Sequence, residues 1–98
     1  MIIDLLRFYF PNAKIIFATT TPMNPNGVVG VNPRYNEDIE KYNQAAVKIA
    51  TENNVTVFDL FEFTHSWTSE CYRDYCHFTE SAFATLGKEV AKKLKELL

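Results

Sequence analysis

Lys14-Ile15-Ile16-Phe17-Ala18-Thr19 carries four apolar residues in an unbroken run. A strand with one wet face alternates apolar and polar side chains. An unbroken run marks a strand covered on both faces, as in a parallel sheet. Val55-Thr56-Val57-Phe58-Asp59-Leu60 has the β-branched and aromatic make-up of a second strand of this kind. Between the two runs, Tyr35, Ile39, Tyr42, Ala46 and Ile49 recur in steps of four, three, four and three. That spacing predicts a helix from about Arg34 to Asn53 with one buried stripe. Asn53-Asn54 suits the helix end, because Asn tolerates the left-handed backbone found there. Strand, helix and strand in this order make a right-handed parallel crossover.

The flanking segments extend the pattern. Ile2, Ile3, Leu5, Leu6, Tyr9 and Phe10 form a short apolar helical stretch that Pro11-Asn12 stops. Thr20 to Pro33 reads as a loop, marked by Pro22, Asn24-Pro25-Asn26-Gly27, Gly30 and Asn32-Pro33, with Asn24, Asn26 and Asn32 as turn formers. Phe61 to Cys76 reads as a long polar-aromatic loop. A last helix begins near Thr79, a good N-cap, and carries Phe83, Leu86, Val90, Leu94 and Leu97 on one face. The order is α-β-α-β-α, without internal repeat, and the class is α/β. Two parallel strands alone leave two open edges. Residues 1–98 therefore read as a partial domain, half of a doubly wound unit.

Composition bounds the function. A chain of 98 residues with 47% hydrophobic and 22% charged content is globular, neither disordered nor membrane-embedded. A net charge of -2 gives no basic footprint for nucleic acid. The Lys88 to Lys95 run is interleaved with Glu89 and Leu94 and reads as a solvated helix face. No apolar run approaches the roughly 18 residues that a membrane span requires. Met1-Ile2-Ile3 meets Asp4 and Arg7 at once, unlike a secretory signal. Localisation stays open: cytoplasmic if Met1 is the natural start, secreted if the natural chain is longer. Cys71 and Cys76 are too few for a disulfide framework; they read as free thiols, with a local bridge in an oxidising compartment as the alternative. With His65 and His77 they match no familiar zinc spacing, so neither metal nor cofactor is expected.

Asp74-Tyr75-Cys76-His77 stands where the loop turns into the last helix. A carboxylate three residues ahead of a histidine can hold the imidazole in one tautomer, and imidazole is the side chain that exchanges protons near neutral pH. The plain alternative is that Asp74 caps the helix and His77 bonds locally.

The element order together with Asp74-Tyr75-Cys76-His77-Phe78-Thr79 resembles the C-terminal part of an SGNH (GDSL-type) hydrolase, in which an Asp-x-x-His block precedes the final helix. Phe83, Leu86 and Gly87 match that helix; Pro11 to Ile16 resembles the entry to the family's fourth strand, and Tyr42-Asn43 with Val57 to Leu60 its next helix and fifth strand. The resemblance implies a flavodoxin-like three-layer α/β/α domain, of which this is the C-terminal half, and hydrolysis of a small ester, such as an acylated sugar or a short acyl ester, by a serine nucleophile. It implies that His77 is the base and Asp74 its orienting partner.

The chain departs from the family where the nucleophile belongs. Neither Gly-Asp-Ser nor Gly-x-Asn-Asp occurs, and nothing around Ser66, Ser69 or Ser81 resembles a nucleophile turn. The expected function is thus the Asp-His-bearing segment of an ester hydrolase, inactive alone. The alternative is a non-catalytic α/β module that associates through its open strand edges, with a second copy or with a separate N-terminal half. Thr21, leaving the first strand, and His65 and Trp67, following the second, lie at the carboxyl edge where doubly wound folds bind ligands. They are the substrate-binding candidates; turn chemistry and loop packing are their blander readings.

Overall fold

The computed structural model describes residues 1–26 and 35–98. Gly30, Asn32-Pro33 and the expected helix start at Arg34 lie outside the described residues. The elements are α1 (Ile2–Tyr9), β1 (Ile16–Ala18), α2 (Asn36–Glu52), β2 (Thr56–Phe58), α3 (Leu60–Thr64) and α4 (Glu80–Leu97), with a 3-10 turn at Ser69–Cys71. β1 and β2 pair in parallel, Phe17 opposite Val57. The chain is α/β, as its apolar runs and helical spacing require. The segment from Phe61 to Cys76, expected as loop, holds both α3 and the 3-10 turn. Asp59 accounts for the former: its carboxylate accepts the Glu62 N–H at 3.1 Å and caps five helical residues.

The end of α2 forms as its asparagines predict. Asn54 takes φ 58°. The Val55 N–H reaches back to the Ala50 carbonyl at 2.8 Å and the Asn54 N–H to Thr51 at 3.1 Å. This pair of hydrogen bonds closes the helix and launches β2, with Ala50 and Val55 both buried. Thr79 caps α4, accepting the Ala82 N–H at 3.3 Å.

The buried stripe of α2 differs from the expected one. Tyr35, Tyr42 and Ile49 are exposed, Tyr42 by 77%, and the helix buries Ile39, Asn43 and Ala50 instead. The reason is polar. Asn43 Oδ1 accepts the Thr20 N–H at 3.0 Å and its Nδ2 donates to the Thr20 carbonyl at 2.8 Å, as a neighbouring strand would. Two turns earlier Asn36 does the same to Met23, at 2.7 and 3.2 Å. An apolar stripe gives way to the pairing of backbone groups that would otherwise lose their water. In α4 the shift is smaller: Ala82 and Leu86 are buried, while Phe83 and Leu94 stay exposed.

Packing concentrates at the α4 end. Tyr72, Phe78, Ala82 and Leu86 form the core cluster, with Leu60, Phe63, Trp67 and Cys71 against it. The first helix, by contrast, is open. α1 buries no residue and presents Ile2, Leu5, Phe8 and Tyr9 to solvent. Among the described residues each strand has one partner only, so both sheet edges are free. The radius of gyration is 15.2 Å, against about 13 Å for a compact domain of 100 residues.

Asn43→Ala removes both bonds to Thr20 and leaves part-buried amide groups unpaired. We expect it to lower the unfolding free energy by about 2 kcal/mol, while Tyr42→Ala at the exposed neighbour changes it by less than about 0.5 kcal/mol. Urea unfolding followed by circular dichroism measures both.

Candidate active site

The reversal between the 3-10 turn and α4 is built to hold a carboxylate. Tyr72 and Phe78 pair as an antiparallel bridge. The Arg73 N–H donates to the His77 carbonyl at 2.9 Å and the Thr79 N–H to Cys71 at 2.9 Å. Below this narrow loop, Phe78 packs on Tyr72 with centroids 4.8 Å apart, on Trp67 at 5.3 Å and on Phe83 at 5.5 Å. Aromatic side chains thus anchor the base of the loop, and its tip, Asp74 to His77, is left polar.

At that tip Asp74 Oδ1 accepts the Cys76 N–H at 2.9 Å and the His77 N–H at 2.7 Å. Its Oδ2 lies 2.8 Å from His77 Nδ1. Spacing explains the pattern. A carboxylate can close an Asx-type turn onto the second and third residues ahead, and the third is then the one whose ring folds back over it. With Oδ2 as acceptor, Nδ1 carries the proton and Nε2 is the basic nitrogen. The backbone N–H groups of Cys76 and His77, and after them the His77 ring, hold the Asp74 carboxyl well below the usual carboxylate range. The pair is open to solvent, with side chains 44% (Asp74) and 55% (His77) exposed.

Asn24, a turn former by sequence, reaches this tip. Its backbone N–H donates to the Tyr75 carbonyl at 2.8 Å and its Nδ2 to the Asp74 carbonyl at 3.2 Å. Beside it, the buried Tyr72 hydroxyl donates to the Pro22 carbonyl at 2.9 Å. Burial, then the Cys71 thiol, raise the Tyr72 phenol above its ordinary value, which keeps it a donor. The loop after β1 is therefore sewn to the Asp74 turn, which no local pattern signals.

The other candidates stand apart. His65 caps α3, with its Nδ1 3.1 Å from the Glu62 carbonyl and its ring stacked on Phe61 at 6.2 Å. Thr21 is half-buried in the loop after β1, next to Pro22. Among the described residues neither is hydrogen-bonded to Asp74 or His77. Trp67 packs on Phe63 and Phe78 and lines a shallow groove of about 400 Å³ with Cys71, Thr79 and Ser81. The groove flanks the turn but is not lined by Asp74 or His77. Ser81 and Thr79 hydroxyls lie 3.3 Å apart at the helix start, and Ser69 Oγ accepts from Asn26 at 3.2 Å. Cys71 and Cys76 are free thiols. Among the described residues no helix is long and apolar enough to cross a membrane.

Residues 1–84 match the model of the GDSL-like lipase/acylhydrolase family. A GDSL esterase/lipase of Arabidopsis thaliana is 29% identical over 107 residues, covering 97% of this chain and 44% of the relative. One of Oryza sativa subsp. japonica is 26% identical over 105 residues, covering 97% and 40%. A second from Arabidopsis thaliana is 28% identical over 90 residues, covering 84% and 29%. The chain spans less than half the length of these curated relatives.

The lowered Asp74 value fixes a pH dependence. The unfolded carboxyl takes its proton near pH 4, the folded one only at lower pH. The turn's contribution to stability is whole above about pH 4, declines below it, and is lost as pH falls through the folded value. In an NMR titration the Cys76 amide proton, hydrogen-bonded to the Asp74 carboxylate, shows a step below about pH 4; Asp74→Asn abolishes that late step.

Proposed function

Because the chain belongs to the GDSL-like lipase/acylhydrolase family, we propose that Asp74 and His77 are the orienting acid and the general base of a serine-dependent ester hydrolase. In this reading residues 1–98 form the C-terminal part of its domain, and the nucleophile and oxyanion donors come from outside them. The observation that carries it is the 2.8 Å contact between Asp74 Oδ2 and His77 Nδ1, made by a carboxylate whose other oxygen two backbone N–H groups already fix.

The chemistry follows from that contact. Nε2 accepts the proton of the serine hydroxyl as its oxygen attacks the ester carbonyl. Asp74, ionised throughout, stabilises the imidazolium that forms. The imidazolium gives the proton to the departing alkoxide, leaving an acyl-enzyme. A water then repeats the sequence, His77 taking its proton and returning it to the serine. The substrate is a small ester, and Trp67, lining the groove at the start of α4, is the residue best placed to meet its acyl or sugar portion.

The free sheet edges and the exposed apolar residues of α1 favour a companion reading in which this chain functions only when joined to another. A separate N-terminal half bearing the serine block supplies both an edge strand and the nucleophile; a second copy supplies only the edge.

The test is hydrolysis of a short-chain activated ester. The chain alone gives no turnover above its His77→Ala variant. With a co-expressed N-terminal half carrying Gly-Asp-Ser, turnover appears, and His77→Ala lowers it by about 10^6-fold. Asp74→Asn, which offers the ring the wrong hydrogen-bonding partner, costs about 10^4-fold. Serine-dependent turnover by the isolated chain, or turnover indifferent to His77, overturns the reading.

A further inference from the structure

Cys76 has no part in the proton transfer, yet its Sγ lies 3.4 Å from His77 Nδ1. One ligand atom each from Asp74, Cys76 and His77 lies within 4.8 Å of the others, on a solvent-open turn. Thiolate, imidazole and carboxylate together suit a borderline-soft divalent ion such as zinc better than a hard one such as magnesium. The spacing fits as well. A tetrahedral zinc with Zn–N near 2.05 Å and Zn–S near 2.3 Å sets nitrogen and sulfur about 3.5 Å apart, close to the distance found. The same ion sets nitrogen and carboxylate oxygen about 3.4 Å apart, against 2.8 Å between Nδ1 and Oδ2 here. Nδ1 and Sγ already stand near coordinating distance, while the whole set spans up to 4.8 Å; binding must open the Asp74–His77 hydrogen bond and draw the sulfur and the carboxylate together.

We propose that Asp74, Cys76 and His77 form a zinc-class metal site that is mutually exclusive with the Asp74–His77 hydrogen bond. Three protein donors leave the fourth position to water. Charge and protons balance as follows. The Cys76 thiol releases its proton to solvent and binds as thiolate. The imidazole keeps one proton, but Nδ1 now bonds the metal, so that proton moves to Nε2. Asp74 exchanges the Nδ1 proton for the ion as its partner. If the proposed ester hydrolysis holds, the consequence is inhibition, since the nitrogen that should take the serine proton already bears one. Binding itself does not rest on that reading.

Cobalt(II), with zinc's ligand preferences and a visible spectrum, is the probe. Titrated into the 98-residue chain, it binds at one equivalent and produces a thiolate-to-metal charge-transfer absorption. Cys76→Ser abolishes that absorption, Cys71→Ser retains it, and His77→Ala weakens binding tenfold or more, with circular dichroism confirming that each variant is folded. Excess zinc displaces the cobalt and bleaches the band. No charge-transfer band, a band that survives Cys76→Ser, or one that depends on Cys71 overturns the site. In the ester assay with the N-terminal half present, zinc suppresses His77-dependent turnover; undiminished turnover at saturating zinc overturns the antagonism. The two proposals fail separately. A cobalt band without turnover in any arm defeats the hydrolase reading alone, and His77-dependent turnover without a band defeats the metal site alone.

Discussion

Beyond Thr19, whose N–H still donates to the β2 carbonyl of Phe58 at 3.0 Å, the stretch to Asn24 has no strand to pair it among the described residues, and the rest of the structure is arranged around satisfying its backbone. Asn43 and Asn36, two turns apart on α2, each grip one residue of it through both amide groups. Thr19 bonds the other way: its buried hydroxyl donates to Asp59 at 3.0 Å and accepts the Phe61 N–H at 2.9 Å, joining the ends of both strands to α3. Tyr72 completes the set by donating to Pro22, and Asn24, at the end of the stretch, donates in turn to the Asp74 and Tyr75 carbonyls. A buried peptide group without a partner costs about 1–3 kcal/mol, so this single loop fixes the inward face of α2, the start of α3 and the position of the Asp-His tip.

That arrangement places precision and openness in different parts of the molecule. At the α4 end an aromatic cluster carries a turn in which one carboxylate accepts three hydrogen bonds. Along α1 apolar side chains face solvent, and among the described residues the sheet offers unpaired edges. The orientation of His77 depends on neighbours within a few residues and on the loop after β1, both inside these 98 residues. An imidazole aligned by a local turn retains its alignment whichever surface later covers α1 and the sheet edges. The same economy leaves the tip exposed, where a thiol beside the ring can compete for it.

Much of this was legible in the chain. The unbroken Ile15 to Ala18 run announced a parallel strand, Asn53-Asn54 the left-handed helix end, Thr79 the cap of α4, and Asp74 with His77 a spacing that closes on itself. The stripe of α2 differs from its apolar spacing because a scale of hydrophobicity favours Tyr42 and Ile49 over Asn43, whereas burial here follows hydrogen bonding. Stepping from Ile39 through Asn43 and Ala46 to Ala50 keeps helical period and was available, had a polar residue been admitted to the inner face. α3 hid in an aromatic-rich segment whose only local signal was Asp59 three residues ahead of Glu62.

Sequence by itself determined the two strands, helices α1, α2 and α4, the family and the pairing of Asp74 with His77, because helix period, strand composition and an i to i+3 turn are set by neighbours along the chain. Tertiary structure alone decided that Asn24, Asn36, Asn43 and Tyr72 clamp the loop after β1, and that Trp67 packs under the turn while His65 stacks on Phe61. Those outcomes depend on which unpaired backbone groups meet which side chains across tens of residues, as when Tyr72 finds the carbonyl of Pro22 fifty positions away.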